Sequence, residues 1–148
     1  MSNPNVLTAT QNPSLATPTV NLVARALLAA LFIVAGVGKL GAGYAGVQGY
    51  MESMGVPGFM LPLVILLEIG GGAALLVGFL TRPIALILAI FTLATAFLFH
   101  FSPENSQQMT QFLKNLSITG GLLLVAYHGA PGFSLDHLLF GKHAHKLA

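Results

Sequence analysis

Three apolar runs of about 20 residues each dominate this sequence and limit what it can fold into. They cover roughly residues 22–42, 60–80 and 83–101. About 20 apolar residues in a helix cross the hydrocarbon core of a bilayer, which is about 30 Å thick. Only 7% of the 148 residues are charged, whereas soluble domains carry about a quarter. The chain is therefore predicted to be an integral membrane protein.

A weaker fourth run covers residues 112–130, with Lys114 near its start. Three spans would close a bundle poorly, so this run is counted as a span. Only Thr81 and Arg82 separate the second and third runs, and so short a connection forces an antiparallel hairpin. Pro83 then fits the first turn of the third helix, where no backbone N–H is needed. The predicted fold class is an all-α membrane protein, a four-helix transmembrane bundle.

The segments around the runs are predicted to be less regular. Residues 1–20 have no charge and no periodicity, so they are predicted to be a disordered N-terminal tail before a transmembrane domain of residues 21–130. The segment between the first two runs is predicted to be a long, glycine-rich loop. Residues 131–148 are predicted to be an amphipathic segment in which Ser134 caps a short interfacial helix, residues 135–140.

The distribution of Lys and Arg predicts the orientation in the membrane. The N-terminal side, the second loop and the C-terminus together hold four such residues, and the opposite side holds only Lys39 and Lys114. Cytoplasmic segments carry the excess of Lys and Arg. Both termini of this multi-pass protein are therefore predicted to be cytoplasmic.

Five polar side chains from all four predicted helices are expected to converge in the outer half of the bundle. Lys39 and His100 lie near the outer ends of the first and third helices, and Lys114 and Asn115 open the fourth. Because a helix rises about 1.5 Å per residue, Glu68 lies roughly 12 Å inward from the outer start of the second helix. These five residues are the candidates for a ligand or proton site.

Glu68 is the centre of this group, and its role is open between two alternatives. A charged carboxylate in hydrocarbon costs roughly a few kcal/mol or more, so it must face inward, find a partner or be protonated. In one alternative Glu68 pairs with Lys39 or Lys114 and fixes the packing of the helices. In the other it belongs to a ligand or proton-transfer site. The glycines after Glu68 suit both, because small residues allow close helix approach or leave room for a ligand.

A nucleotide site is not expected, although Lys39 follows a glycine as in a phosphate-binding loop. Such a loop needs a glycine where this chain has Ile33, and a Ser or Thr where it has Leu40. The small excess of six basic over four acidic residues bears on topology and does not suggest nucleic acid.

A metal site is not expected either. The chain contains no cysteine, which excludes thiolate ligands and disulfides within it. Three histidines near the C-terminus are a weak signal for metal binding: His137, His143 and His145.

Arg25 and Arg82 are predicted to be contacts of the inner face with lipid phosphate. Arg82, in a tight Thr-Arg-Pro turn, is predicted to bind a lipid phosphate and to fix the orientation. Arg25 lies one turn inside the first helix, where a long side chain either extends to the interface or meets a partner.

Short segments in a fixed order connect these residues to a known family. They are "AR" and "GVGKL" in the first run, "EIGGGAALLVGFLTR" in the second, "FHF" at the end of the third, "KNLSITGG" in the fourth and "GAPGFSLDHLL" after it. From about Arg25 to Leu139, the chain resembles the DoxX family of small bacterial inner-membrane proteins with four helices. One departure is the family's usual Gly-Pro-Gly before Ser-Leu-Asp, which is Gly-Ala-Pro-Gly here. The resemblance carries functional positions onto these residues: Arg25, Lys39, Glu68, Arg82, His100, Lys114 and Asn115.

The resemblance implies a link to sulfur-compound oxidation, quinone-linked redox chemistry or oxidative-stress complexes. The implied partners are membrane lipid and a redox enzyme or a second copy of the chain. The leading hypothesis is an accessory subunit or small-molecule binding protein, with a quinone as the candidate ligand. In this hypothesis Glu68 and His100 accept and release protons. Lys39, Lys114 and Asn115 bind the head group of the ligand.

Two other functions stay open. One is a structural or assembly protein whose polar cluster only fixes helix packing. The other is a small transporter, which the absence of an internal sequence repeat disfavours. The sequence contains no autonomous catalytic motif, so whether the protein is an enzyme also stays open.

Overall fold

Six α-helices form this protein in the computed structural model, which describes residues 16–144, with side chains described for residues 17–139. The helices are α1 (Ala16–Gly38), α2 (Gly43–Ser53), α3 (Leu61–Val77), α4 (Thr81–Thr95), α5 (Ser106–His128) and α6 (Leu135–Ala144). A 3-10 turn, Gly58–Met60, leads into α3, and a π-helical turn, Ala96–His100, continues α4. The described residues form no strand, which confirms the all-α class.

The four long helices are α1, α3, α4 and α5, and they alternate in direction along the chain. They pack chiefly as two antiparallel pairs, α1 with α3 and α4 with α5. Residues 78–80 connect α3 to α4, and both Gly78 and Leu80 adopt the left-handed conformation there. This tight turn confirms the predicted hairpin, and Pro83 lies in the first turn of α4 as predicted. We call the end of the bundle at this turn the Arg25 end and the opposite end the Lys39 end.

Three helical stretches in the described part of the chain are long and apolar enough to cross a membrane. They are Thr17–Gly38, Gly58–Val77 and Thr81–His100. Helix α5 has 23 residues, about 34 Å of helix, but polar residues fill its first half and it is not among the three. Three apolar spans are therefore observed there, where four were predicted.

Several helix ends differ from the predicted ones. Helix α1 begins at Ala16, inside the predicted tail, whose residues 1–15 lie outside the described part, and it ends at Gly38 rather than near residue 42. Helix α5 begins at Ser106, six residues before the predicted run. The Asn105 side chain accepts hydrogen bonds from the first-turn N–H groups of α5. This cap favours the early start of the helix.

The predicted loop between the first two runs is wrong for most of its length, because α2 occupies it. Three glycines lower the helix propensity of this segment and conceal the helix in the sequence. Tyr44, Val47 and Met51 nevertheless recur at helical spacing, and they pack against Leu61 at the start of α3. This tertiary packing stabilises a helix that its own sequence favours only weakly.

The C-terminal segment begins as predicted and then departs from the prediction. Ser134 Oγ accepts a hydrogen bond from the backbone N–H of His137 at 3.1 Å, which confirms the predicted cap. Helix α6 continues to Ala144, four residues beyond the predicted end, and the amphipathic character of the segment stays a prediction. Residues 145–148, including His145, lie outside the described part.

Candidate functional site

An ion pair between the half-buried Lys39 and the buried Glu68 joins α1 to α3 at the Lys39 end. Lys39 Nζ lies 2.8 Å from Glu68 Oε1 and 2.7 Å from Glu68 Oε2, and it also donates to the carbonyl oxygen of Ala35 at 3.2 Å. Glu68 is only 6% exposed. Both carboxylate oxygens therefore receive a charge-assisted hydrogen bond. Of the two partners considered for Glu68, the structure selects Lys39 rather than Lys114.

A close crossing of α1 and α3 makes this ion pair possible. A Cβ atom at Gly36 would lie 2.6 Å from Ile69 Cγ1 and 3.1 Å from Glu68 Cβ, and one at Gly72 would lie 2.9 Å from Ile33 Cγ1. Glycine at both positions lets the two backbones approach this closely. Gly36, three residues before Lys39, thus serves the packing of α1 against α3.

A cavity of about 510 Å³ lies at the Lys39 end, and the ion pair forms part of its wall. Ligand pockets typically have about 300–1,000 Å³ and combine a mostly apolar wall with a few polar groups. This cavity has that character, with apolar residues from α1 to α5 around it. All five predicted site residues line it: Lys39, Glu68, His100, Lys114 and Asn115.

His100 reaches the cavity from the π-helical turn that ends α4. Its Nδ1 lies within hydrogen-bond distance of Gln108 Oε1 of α5, at 2.8 Å. The Tyr50 hydroxyl of α2 donates to the carbonyl oxygen of Phe99 at 3.3 Å, and the two rings are in contact. The π turn is therefore joined to both α5 and α2. Such turns occur frequently at functional sites.

Lys114 and Asn115 line the cavity from α5 with free polar groups. Neither side chain makes a hydrogen bond or ion pair with any described residue. Lys114 is exposed and Asn115 is half-buried. Lys114 lies eight residues after Ser106, about 12 Å along the helix, so it is well past the first turn. These two residues are the polar groups of the wall that remain available to a ligand.

Some residues of this cavity were missed in the sequence. Helix α2 adds Val47, Tyr50 and Met51 to the wall, and their helical spacing was the signal that could have shown it. Gln108, the partner of His100, precedes the predicted fourth run, which begins at residue 112. Nothing in the sequence of that segment indicates its partner, because the contact depends on how α5 packs against α4.

Arg25 at the opposite end is fully buried, so its predicted contact with lipid phosphate is wrong. Its Nε donates to Asn21 Oδ1 at 2.9 Å. Its two terminal nitrogens donate to the carbonyl oxygens of Leu75 at 3.1 Å and Phe133 at 2.6 Å. Leu75 lies in the last turn of α3, where the helix dipole favours a cation. The guanidinium therefore joins α1, α3 and the C-terminal segment, and no part of it reaches the surface.

Asp136 completes this end of the bundle. Its carboxylate accepts hydrogen bonds from the backbone N–H groups of Leu80 at 2.7 Å and Thr81 at 2.8 Å. A carboxylate at a helix N-terminus stabilises the unpaired N–H groups and the helix dipole, so α6 provides the cap of α4. Arg82 is exposed and lies beside Gly129. Its contact with lipid phosphate stays a prediction.

The three apolar helical stretches and the absence of strands among the described residues define a small, all-helical integral membrane protein. The chain belongs to the DoxX family, whose model matches residues 20–101. It is 61% identical over 121 residues to inner membrane protein YqjF of Escherichia coli (strain K12), an alignment that covers 82% of this chain and 92% of that protein. It is 35% identical over 128 residues to inner membrane protein YphA of the same organism, covering 82% and 91% of the two chains.

No solved structure matches the chain. The family and its relatives nevertheless confirm the resemblance seen in the sequence, and they show that this is an inner membrane protein.

Proposed function

We propose that this protein binds a small amphipathic molecule in the cavity at the Lys39 end and serves as an accessory membrane subunit linked to redox metabolism. The observation that carries the proposal is the gathering of five polar side chains, from four helical segments, around a cavity that is otherwise apolar. A quinone has the matching chemistry, because its carbonyl oxygens accept hydrogen bonds and its tail is apolar. The redox link comes from the family resemblance rather than from the cavity.

The side chains of the cavity divide into two proposed roles. Lys114 and Asn115 have free donors and bind the head group. Glu68 and His100 can gain or lose a proton at the cavity, and Lys39 holds Glu68 in place. The chain's own residues supply no electrons for a redox step, so these would come from a partner redox enzyme. Purification in a mild detergent, with the bound proteins identified, tests for such an enzyme or for a second copy of this chain.

Photo-crosslinking tests the binding proposal. The full chain in nanodiscs is irradiated with an azido-quinone, and the labelled peptides are mapped by mass spectrometry. Labelling is expected on α2, on the π turn and on the first half of α5, and an unmodified quinone should compete for it. Asn115→Leu should weaken the labelling, whereas Arg82→Met, which removes a cation at the other end, should leave it unchanged. Absence of cavity labelling at millimolar quinone contradicts the proposal.

We also propose that α5 is a fourth membrane span and that both termini are cytoplasmic. Its 23-residue length, its packing along α4 and the apolar second half of its sequence support this. Because the chain has no cysteine, single cysteines can report the topology. An impermeant maleimide should label Ser106→Cys from the periplasm of intact cells, and Arg82→Cys only after lysis. The reverse pattern would contradict the orientation.

A second candidate function is purely structural, with the Lys39–Glu68 pair fixing the packing of the helices. The full pairing of both carboxylate oxygens of Glu68 favours it. The double variant Glu68→Gln with Lys39→Met separates the two functions. If the protein is only structural, neither the wild-type chain nor the folded double variant is specifically labelled by the quinone. If the pair belongs to a binding site, the wild-type chain is labelled and the folded double variant is not.

A further inference from the structure

We propose that the ligand of the cavity is a single-chain amphiphile with an anionic head, of the carboxylate class represented by a fatty acid, and that Lys114 binds the head. This inference rests on the proposed function, because it concerns the same cavity and specifies the chemistry of the ligand. It differs from the neutral quinone in one respect that can be measured, the charge of the head group.

The first argument is the charge of the cavity. Among the described residues that line the cavity, Lys39 and Lys114 carry ammonium groups and Glu68 carries a carboxylate. Glu68 uses both of its oxygens on Lys39, so no carboxylate remains for Lys114. An unpaired cation on the wall of the cavity attracts an anion. The charge that would complete the cavity is negative.

The second argument is the number of free donors. A lysine ammonium has three hydrogen-bond donors, and Lys39 directs its hydrogen bonds to two oxygens of Glu68 and to the carbonyl of Ala35. Lys39 therefore has no donor left for a ligand. Lys114 keeps all of its donors, and the half-buried amide of Asn115 stands next to it. A carboxylate head, with two oxygens that only accept, matches this pair of groups.

The third argument is the shape of the rest of the cavity. Its wall is mostly apolar, and its volume of about 510 Å³ suits one hydrocarbon chain better than the two chains of a phospholipid. Leu63 of α3 and Leu98 of the π turn line the cavity and are also exposed on the surface of the bundle. An amphiphile dissolved in the bilayer can therefore enter between α3 and α4 and place its head near α5.

A matched pair of probes tests the proposal on the full chain in phosphatidylcholine nanodiscs. One probe is a diazirine fatty acid and the other is its methyl ester, which has the same chain and no charge. The fatty acid is expected to label the residues that line the cavity at lower concentration than the ester. Lys114→Met should lower the affinity for the fatty acid by about tenfold, the effect of losing one charge-assisted hydrogen bond. It should leave labelling by the ester unchanged. Lys114→Arg should keep most of the binding, and Arg82→Met should have no effect.

Three results would overturn the proposal in different ways. Equal labelling by the two probes, unchanged in Lys114→Met, means that the head group is not anionic, while the proposed binding function survives. No cavity labelling by these probes or by azido-quinone removes both proposals together. Displacement of the fatty acid by phosphatidylglycerol in the nanodiscs means that Lys114 binds a phospholipid head group. If Lys114→Met does not elute as a folded protein, Lys114→Gln takes its place.

Discussion

Removing Lys39 or Glu68 alone should destabilise the protein strongly. The two single variants together should lose more stability than the double variant that removes both side chains. At an effective dielectric constant of about 20, unit charges 2.7 Å apart attract each other by about 6 kcal/mol. The cost of taking both charges out of water offsets much of this attraction. Loss of one partner of a fully buried pair costs about 3–5 kcal/mol. Because the Lys39 side chain keeps 21% of its surface exposed, we expect about 2–4 kcal/mol for either single variant.

The measurement is a double-mutant cycle of Glu68→Gln, Lys39→Met and the two combined. The free energy of unfolding is measured by titration of the detergent-solubilised protein with sodium dodecyl sulfate, followed by circular dichroism. The combined variant should lose less than the sum of the two single variants, by about 1–3 kcal/mol, because it leaves no unpaired charge. Lys114→Met serves as the control, since it removes an ammonium group that has no partner in the described structure and should change stability little.

An additive cycle would refute this reasoning. A coupling energy below about 0.5 kcal/mol is typical of solvent-exposed ion pairs. It would mean that water or lipid head groups screen the pair in the membrane protein, and that the buried geometry of Glu68 does not control the packing of α1 against α3.

Three further predictions concern the packing of the helices, and each is checked by thermal unfolding in detergent. Gly72→Ala places a Cβ atom 2.9 Å from Ile33 Cγ1 and should lower the free energy of unfolding by about 1–3 kcal/mol. Its control is Gly70→Ala, whose new Cβ atom lies 3.9 Å from its nearest neighbour and should not destabilise the protein. Equal effects of the two variants would contradict the close crossing of α1 and α3. Asp136→Ala removes the cap of α4 and should cost about 1–2 kcal/mol, and Asp136→Asn should cost less because it keeps one acceptor oxygen. Arg25→Met leaves buried carbonyl oxygens without a donor and should lower the free energy of unfolding by at least about 3 kcal/mol. Its control is Arg82→Met at an exposed position, which should change that free energy by less than about 0.5 kcal/mol. Similar losses in the two variants would mean that Arg25 is not buried.

The features that could be predicted from the sequence are those that depend on composition and on neighbouring residues. Long apolar runs with almost no charge determine a helical membrane protein, because unpaired backbone groups are too costly in lipid. The tight hairpin before Pro83 and the cap by Ser134 follow from local backbone chemistry. The inward position of Glu68 also followed from the sequence, because a carboxylate facing hydrocarbon is too costly.

Only the tertiary structure decided which groups meet. Glu68 pairs with Lys39 because glycines at the crossing of α1 and α3 bring these two helices together, and Lys114 is thereby left free. Helix α2 forms because the start of α3 buries its apolar residues. Arg25 became a buried link because the C-terminal segment folds back over the end of α3. In each case the deciding contact joins residues far apart in the chain, so its energy depends on how the helices pack and cannot be found in any local pattern.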